Sequence, residues 1–258
     1  MGKIISVHSF RGGTGKSNIS ANLAVCMAMR GLRVGVVDTD IQSPGINVLF
    51  KVDAQKAEHT LNDYLYGTCS IEQAAVDVGS ELHTEDGKPA ITEGALFLVP
   101  SSGKLTEIAK ILRQGYDTKL LNKGFKSLFE SLNLDVLFLD THPGLNEETL
   151  LSMAMSHTVV LVLRPDRQDF TGTAVTVEVA RKLDVPNLYL LANKVLSNMD
   201  MDDLRSKLTQ AYKVPVIGLL PLSVSVAETA SSGIFVLKQP GHTVSRILDE
   251  IADKLLER

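Results

Sequence analysis

Seven runs of four or five mostly apolar residues punctuate this chain, at 4–7, 34–37, 96–99, 136–139, 159–163, 188–191 and 216–220. Strands that are apolar on both faces suit a parallel sheet covered by helices on each side. Helix-like stretches separate the runs, so successive strands connect through right-handed βαβ crossovers. The pattern predicts an α/β fold, a doubly wound and mostly parallel sheet with helices on both faces. The 258 residues suffice for one such domain with a full core. No repeat or low-complexity linker divides them. The loosest stretch, 78–94, collects Gly79, Glu81, Glu85, Asp86, Gly87, Lys88 and Pro89. It reads as an exposed loop or hairpin within a single domain, 1–258.

The first run leads into Phe10-Arg11-Gly12-Gly13-Thr14-Gly15-Lys16-Ser17, and a helix-like stretch opens at Asn18. Glycines let a backbone curl until successive N–H groups face phosphate oxygens, and the helix N-terminus adds its positive end. In that arrangement Lys16 reaches the β- and γ-phosphates and the Ser17 hydroxyl ligates Mg2+. Gly12, Gly13, Thr14, Gly15, Lys16, Ser17 and Asn18 are therefore the candidate nucleotide contacts. The strict G-x-x-x-x-G-K-[ST] pattern fails, because Phe10 holds its first glycine position. What fits is x-K-G-G-x-G-K-[ST], with Arg11 in place of its first lysine.

Acidic residues follow two other runs. Asp38 and Asp40 lie just past 34–37, at the carboxyl end of a strand where α/β sheets bind ligands. Asp140 closes the run 136–139 and is followed by Thr141-His142-Pro143-Gly144. An apolar strand ending in aspartate is the Walker B layout, and such a carboxylate holds Mg2+ through water. His142 reads as a partly exposed loop histidine with no special duty. Asn193, which ends another run, can both donate to and accept from a purine edge.

These motifs together resemble the ParA/MinD family of P-loop ATPases, a group that includes the nitrogenase iron protein. Segments 2–50, 96–146 and 159–233 line up in order with its MinD-like branch; 78–94 has no counterpart. The resemblance implies the P-loop NTPase fold, ATP and Mg2+ as ligands, and slow, partner-stimulated ATP hydrolysis. It implies that Asp40 orients the attacking water, that Asp38 supports Mg2+ and that the Gly144 amide contacts the γ-phosphate. Asn193 would read adenine and Pro221 would lie against the base. The family's signature lysine reaches across an ATP-closed homodimer, a role that here falls to Arg11. Arginine keeps the charge and can bind phosphate bidentately, but it is larger and planar. With Lys16, Arg11 and Asp40 as catalytic residues, the implied function is a switch that positions or segregates a cargo. That cargo could be a plasmid, a chromosome region, the division machinery or an organelle.

Composition narrows the surroundings. Net charge −4 gives no global attraction to nucleic acid, although Arg164, Arg167, Arg181, Lys182, Lys194, Arg205 and Lys207 make the region after 160 locally basic. Nonspecific DNA is thus the favoured surface partner. Membrane is disfavoured: the last helix has an apolar face of Val244, Ile247, Leu248, Ile251 and Leu255, but its polar face is acidic. It reads as a helix docked on the sheet. No apolar run spans a bilayer and no signal pattern opens the chain, so a cytoplasmic address is expected. Cys26 and Cys69 make no Cys-x-x-Cys pair, which weighs against an iron–sulfur role. The remaining rivals are a P-loop metabolic enzyme resembling dethiobiotin synthetase, and a nucleotide-gated binding module with little hydrolysis.

Overall fold

The computed structural model describes residues 2–229 and 232–257. The first half runs β1 (Lys3–His8), α1 (Lys16–Met29), β2 (Arg33–Asp38), α2 (Ile46–Leu49), α3 (Leu61–Leu65), β3 (Val76–Asp77) and β4 (Ala95–Val99). There follow α4 (Leu105–Gln114), α5 (Lys119–Leu132), β5 (Val136–Asp140), α6 (Glu147–Met155), β6 (Thr158–Leu163) and α7 (Arg167–Lys182). The chain continues through β7 (Asn187–Val195), α8 (Met201–Tyr212), β8 (Val216–Pro221), α9 (Val224–Thr229), α10 (Phe235–Lys238) and α11 (Thr243–Leu256).

All eight strands join one sheet in the order β3-β4-β2-β5-β1-β6-β7-β8. The seven apolar runs become β1, β2, β4, β5, β6, β7 and β8, every neighbouring pair of them parallel. The eighth strand, β3, is a two-residue antiparallel edge on β4. It is too short to show a periodicity in sequence. Beyond it the chain folds back on itself, with a bridge between His83 and Pro89 and a turn in which Gly87 N–H donates to the Thr84 carbonyl.

Within each apolar run, alternate residues serve opposite faces, as strand geometry requires. Ile5, Val7, Val34, Val36, Phe138, Val160 and Val162 pack under α1, α10 and α11. On the other face, Val37, Val99, Leu137 and Leu139 meet α3 and α5, while Leu161, Leu163, Leu190 and Ala192 meet α7 and α8. Each fully buried side chain of this size is worth about 1.5–3 kcal/mol. Helix α1 is buried nearly all round because the sheet lies beneath it and α11 lies across it. Val244, Leu248, Ile251, Ala252 and Leu255 of α11 are buried there, so the last helix is docked on the body of the protein. Arg30 pairs with Asp249 and Asp253 at 2.8 Å each on its rim. At this exposure such pairs add under about 1 kcal/mol, so burial, not charge, seats α11. No described helix is long and apolar enough to cross a membrane.

Candidate functional site

The order β2-β5-β1 sets Asp38 and Asp140 side by side in register and places Val7 beside Asp140. The loop 9–15 leaves β1 at the same edge. It turns through left-handed glycines, Gly13 at φ 76° and Gly15 at φ 96°, where a side chain would be strained. A Cβ at Gly13 would meet nothing within 4 Å, so the space it faces is open. Gly15 caps α1 without any side-chain hydrogen bond, and the first turn carries no acid. Several of the loop's carbonyls are already taken. Ser9 O accepts from Gly144 N–H at 3.0 Å and Arg11 O from the Ser9 hydroxyl at 2.6 Å. Gly13 O accepts from Lys194 Nζ and Thr14 O from Asn193 Nδ2, both at 2.8 Å. No described group accepts from the backbone N–H groups of 12–17. A row of unpaired amides at an uncapped helix start is an anion cradle. The Thr14 hydroxyl is likewise buried without a partner.

Lys16, only 7% exposed, feels the charges of two carboxylates, Asp140 and Asp40. Desolvation lowers its pKa, while Asp140 and Asp40 pull it back up. Asp38 is buried and pushed well above the carboxylate range, first by desolvation and then by Asp140 and Asp40. Amides of Asp40 and Gly45 donate to it at 3.0 and 3.3 Å. Burial raises Asp140 to about 6, against hydrogen bonds from Ser17 and from the Ser20 hydroxyl, the latter at 3.2 Å. The backbone around this pair is pinned. The Asp140 carbonyl accepts from the Thr39 N–H and hydroxyl, both at 2.9 Å, and the Ser101 hydroxyl holds the Asp38 carbonyl at 2.7 Å. Such a group of carboxylates beside a hydroxyl suits Mg2+, which keeps most of its waters and takes few protein ligands.

The comparisons with known proteins agree with this geometry. A family model described as ParA, NUBPL iron-transfer P-loop NTPase, matches residues 1–256. The chain belongs to the ParA family of P-loop NTPases. Its relatives include an uncharacterized ATP-binding protein of Methanocaldococcus jannaschii, 27% identical over 255 residues, which cover 98% of this chain and 87% of that one. An iron-sulfur cluster carrier protein of Pseudomonas fragi is 27% identical over 263 residues, 96% of this chain and 83% of that one. The fold is that of the septum site-determining protein MinD of Pyrococcus horikoshii, solved with Mg-ADP. The TM-score is 0.80 at 22% identity, over 100% of this chain and 97% of that one.

In this ParA-family chain, Gly12, Gly13, Thr14, Gly15, Lys16, Ser17 and Asn18 lie on the loop and the first turn of α1, with Asp38, Asp40 and Asp140 gathered at the neighbouring strand ends. Four more of the expected residues have these surroundings. The Gly144 amide donates to the Ser9 carbonyl. Asn193 sits on a bulge at the end of β7, before Lys194 at φ 59°, and props the Thr14 carbonyl. Pro221 ends β8 opposite Val195, half-buried beside that bulge. Arg11 turns outward to Gln168 and lies 3.8 Å from Asp169, at the start of α7. Phe10, in the first-glycine position, lies against Gly172, where a Cβ would come within 2.1 Å of its ring.

The basic residues after 160 are largely engaged. Arg164 pairs with Asp169, Arg181 with Glu178, Lys207 with Asp203, Arg205 bonds the Val216 carbonyl and Lys194 the phosphate loop. That weakens the case for a DNA face built from them. Nothing in the sequence marks the pairing of His142, whose Nδ1 lies 2.6 Å from Asp40 Oδ1, or the braces supplied by Ser20, Thr39 and Ser101. Serines and threonines are too common for position alone to mark them.

The acids of this site lower the stability of the ligand-free protein. Because Asp140 titrates near 6 when folded, above its ordinary 3.8, the folded state is the better proton acceptor. Asp140's own contribution to stability is therefore greatest below about pH 4 and falls as pH rises from about 4 to about 6, by about 3 kcal/mol. Asp140→Asn is expected to raise the melting temperature by several degrees at pH 7.5 and to flatten the fall between pH 4 and 6. Calorimetry at both pH values checks it; an unchanged or lower midpoint at pH 7.5 refutes it.

Proposed function

We propose that the chain is an ATP-dependent switch, one ATPase domain over 1–258. It binds ATP with Mg2+, closes into a homodimer in that state, and hydrolyses ATP slowly under a partner's stimulus. The cycle positions or segregates a cargo. The observation that carries this reading is Lys16, a buried cation at an uncapped helix start, faced by unpaired amides and by the carboxylates of Asp140 and Asp40.

In this scheme the amides of 12–17 and Lys16 hold the β- and γ-phosphates, and Asn193 and Pro221 flank the base. Ser17 and Asp140 hold Mg2+, with Asp38 behind them, and the ion supplies charge neutralisation at the transferring phosphate. Asp40 orients the attacking water. Arg11 leaves Gln168 and Asp169 to reach the partner protomer's nucleotide. The cargo-positioning part draws on the MinD likeness; nonspecific DNA remains a candidate surface, and the buried apolar face of α11 argues against membrane.

Asp40→Ala is the test, because it removes the water-orienting carboxylate and leaves the phosphate cradle intact. The expected result is loss of ATP turnover by at least about a hundredfold. Light scattering should show a dimer with ATP·Mg2+ and a monomer with ADP or without nucleotide. A protein that binds ATP tightly yet stays monomeric would sink the switch and favour a metabolic P-loop enzyme.

A second reading comes from the relatives named as iron-sulfur cluster carriers. Here Cys26 is buried in α1, where desolvation pushes its thiol up to about 12, and Cys69 is half-buried after α3. Neither lies in the phosphate loop or at the acidic strand ends. A cluster absorbance on the reconstituted dimer would put the carrier reading ahead.

A further inference from the structure

Asp40 and His142 come from different loops, after β2 and after β5. Three donors converge on a single oxygen of Asp40. Oδ1 accepts from His142 Nδ1 at 2.6 Å, from the Ser43 N–H at 3.1 Å and from the Ser43 hydroxyl at 2.9 Å. No described group bonds Oδ2, so one oxygen is anchored while the other is left to solvent and ligands. Both Ser43 donors belong to Asp40's own turn and move with it. His142 is the member of the three that comes from elsewhere.

The loop carrying His142 is fixed to the phosphate-binding side. The Thr141 hydroxyl donates to the Val7 carbonyl at 3.1 Å and lies 2.7 Å from His8 Nδ1. Two residues on, the Gly144 N–H holds the Ser9 carbonyl at 3.0 Å, on the phosphate loop itself. His142 is thus mounted on the frame of β1 and the phosphate loop, and through one hydrogen bond it refers Asp40 to that frame.

We propose that His142 is a positioning residue for hydrolysis. Its Nδ1–H holds the Asp40 carboxylate in register with the phosphate loop, so that the unanchored oxygen presents the attacking water. This rests on the reading of Asp40 given above. The role needs a donor at Nδ1 and no change of protonation, since neutral and charged imidazole both supply it. Asparagine places its Nδ2 at the same distance from the backbone as Nδ1, so it conserves the donor; alanine removes it.

The experiment compares steady-state ATP hydrolysis and ATP affinity in the native protein, His142→Ala, His142→Asn and Asp40→Ala. His142→Ala is expected to lose kcat on the order of tenfold, since small misplacements of a catalytic group are costly. Its KM and ATP affinity should stay native, which also shows that it folds. His142→Asn should recover most of the loss. An alanine variant as fast as the native protein or faster, or an asparagine variant as slow as alanine, overturns the proposal. If instead Asp40→Ala hydrolyses ATP at the native rate, the role of Asp40 falls and this proposal falls with it. A slow Asp40→Ala beside an unaffected His142→Ala defeats the His142 role alone.

Discussion

Lys16→Ala is expected to lose ATP affinity by at least about a hundredfold, because a buried cation on the phosphates is worth several kcal/mol. Lys16 is only 7% exposed, and the rest of the site is acidic, with Asp38 and Asp140 buried and Asp40 beside them. Without the ammonium, a polyphosphate entering this crevice faces the carboxylates without its buried counter-charge. Isothermal titration of ATP·Mg2+ into the variant measures the effect. Native-like affinity would remove the foundation of the proposed function, since Lys16 is the cation buried at the start of α1. The same substitution deprives Asp140 of a charge that holds its pKa down, so the variant's Asp140 should titrate higher still.

Phe138→Ala is expected to cost about 3–5 kcal/mol, a large part of the roughly 5–15 kcal/mol that holds a typical domain together. Phe138 is fully buried in β5, paired with Ile5 of β1 on one side and Val36 of β2 on the other, and packed under α1. Truncation leaves a cavity in the middle of the sheet that neighbouring strands cannot close without moving Asp38 and Asp140. For a domain of this size the melting temperature should fall by roughly 10 °C. Thermal or urea unfolding checks the figure; a fall of less than about 3 °C would mean the core relaxes around the gap. Well below the new midpoint, ATP binding should persist, because the substitution touches no group of the phosphate cradle.

Much of this protein was legible before any coordinates. The seven long strands announced themselves because parallel strands buried on both faces are apolar throughout, and such runs are visible one residue at a time. The phosphate loop was visible for a different reason. Gly13 and Gly15 occupy backbone angles that other residues adopt at a cost, so the sequence carries glycine where the loop needs it. Asp38 and Asp140 were placed by standing at strand ends. The edge strand β3 was missed because two residues carry no pattern, and the bonds by which Asn193 and Gly144 brace the loop leave no pattern either.

The sequence by itself determined the fold class and the family, since each depends on local periodicity or on the backbone demands of one turn. Only the tertiary structure decided how these parts are tied together. The strand order brings Asp38 beside Asp140, and it lets His142 reach Asp40 and Lys194 reach Gly13. It also turns Arg11 toward Gln168 and Asp169. Each of these contacts joins residues about a hundred or more positions apart. A contact at that range is set by how crossovers order the strands, and it leaves no periodic trace in either segment.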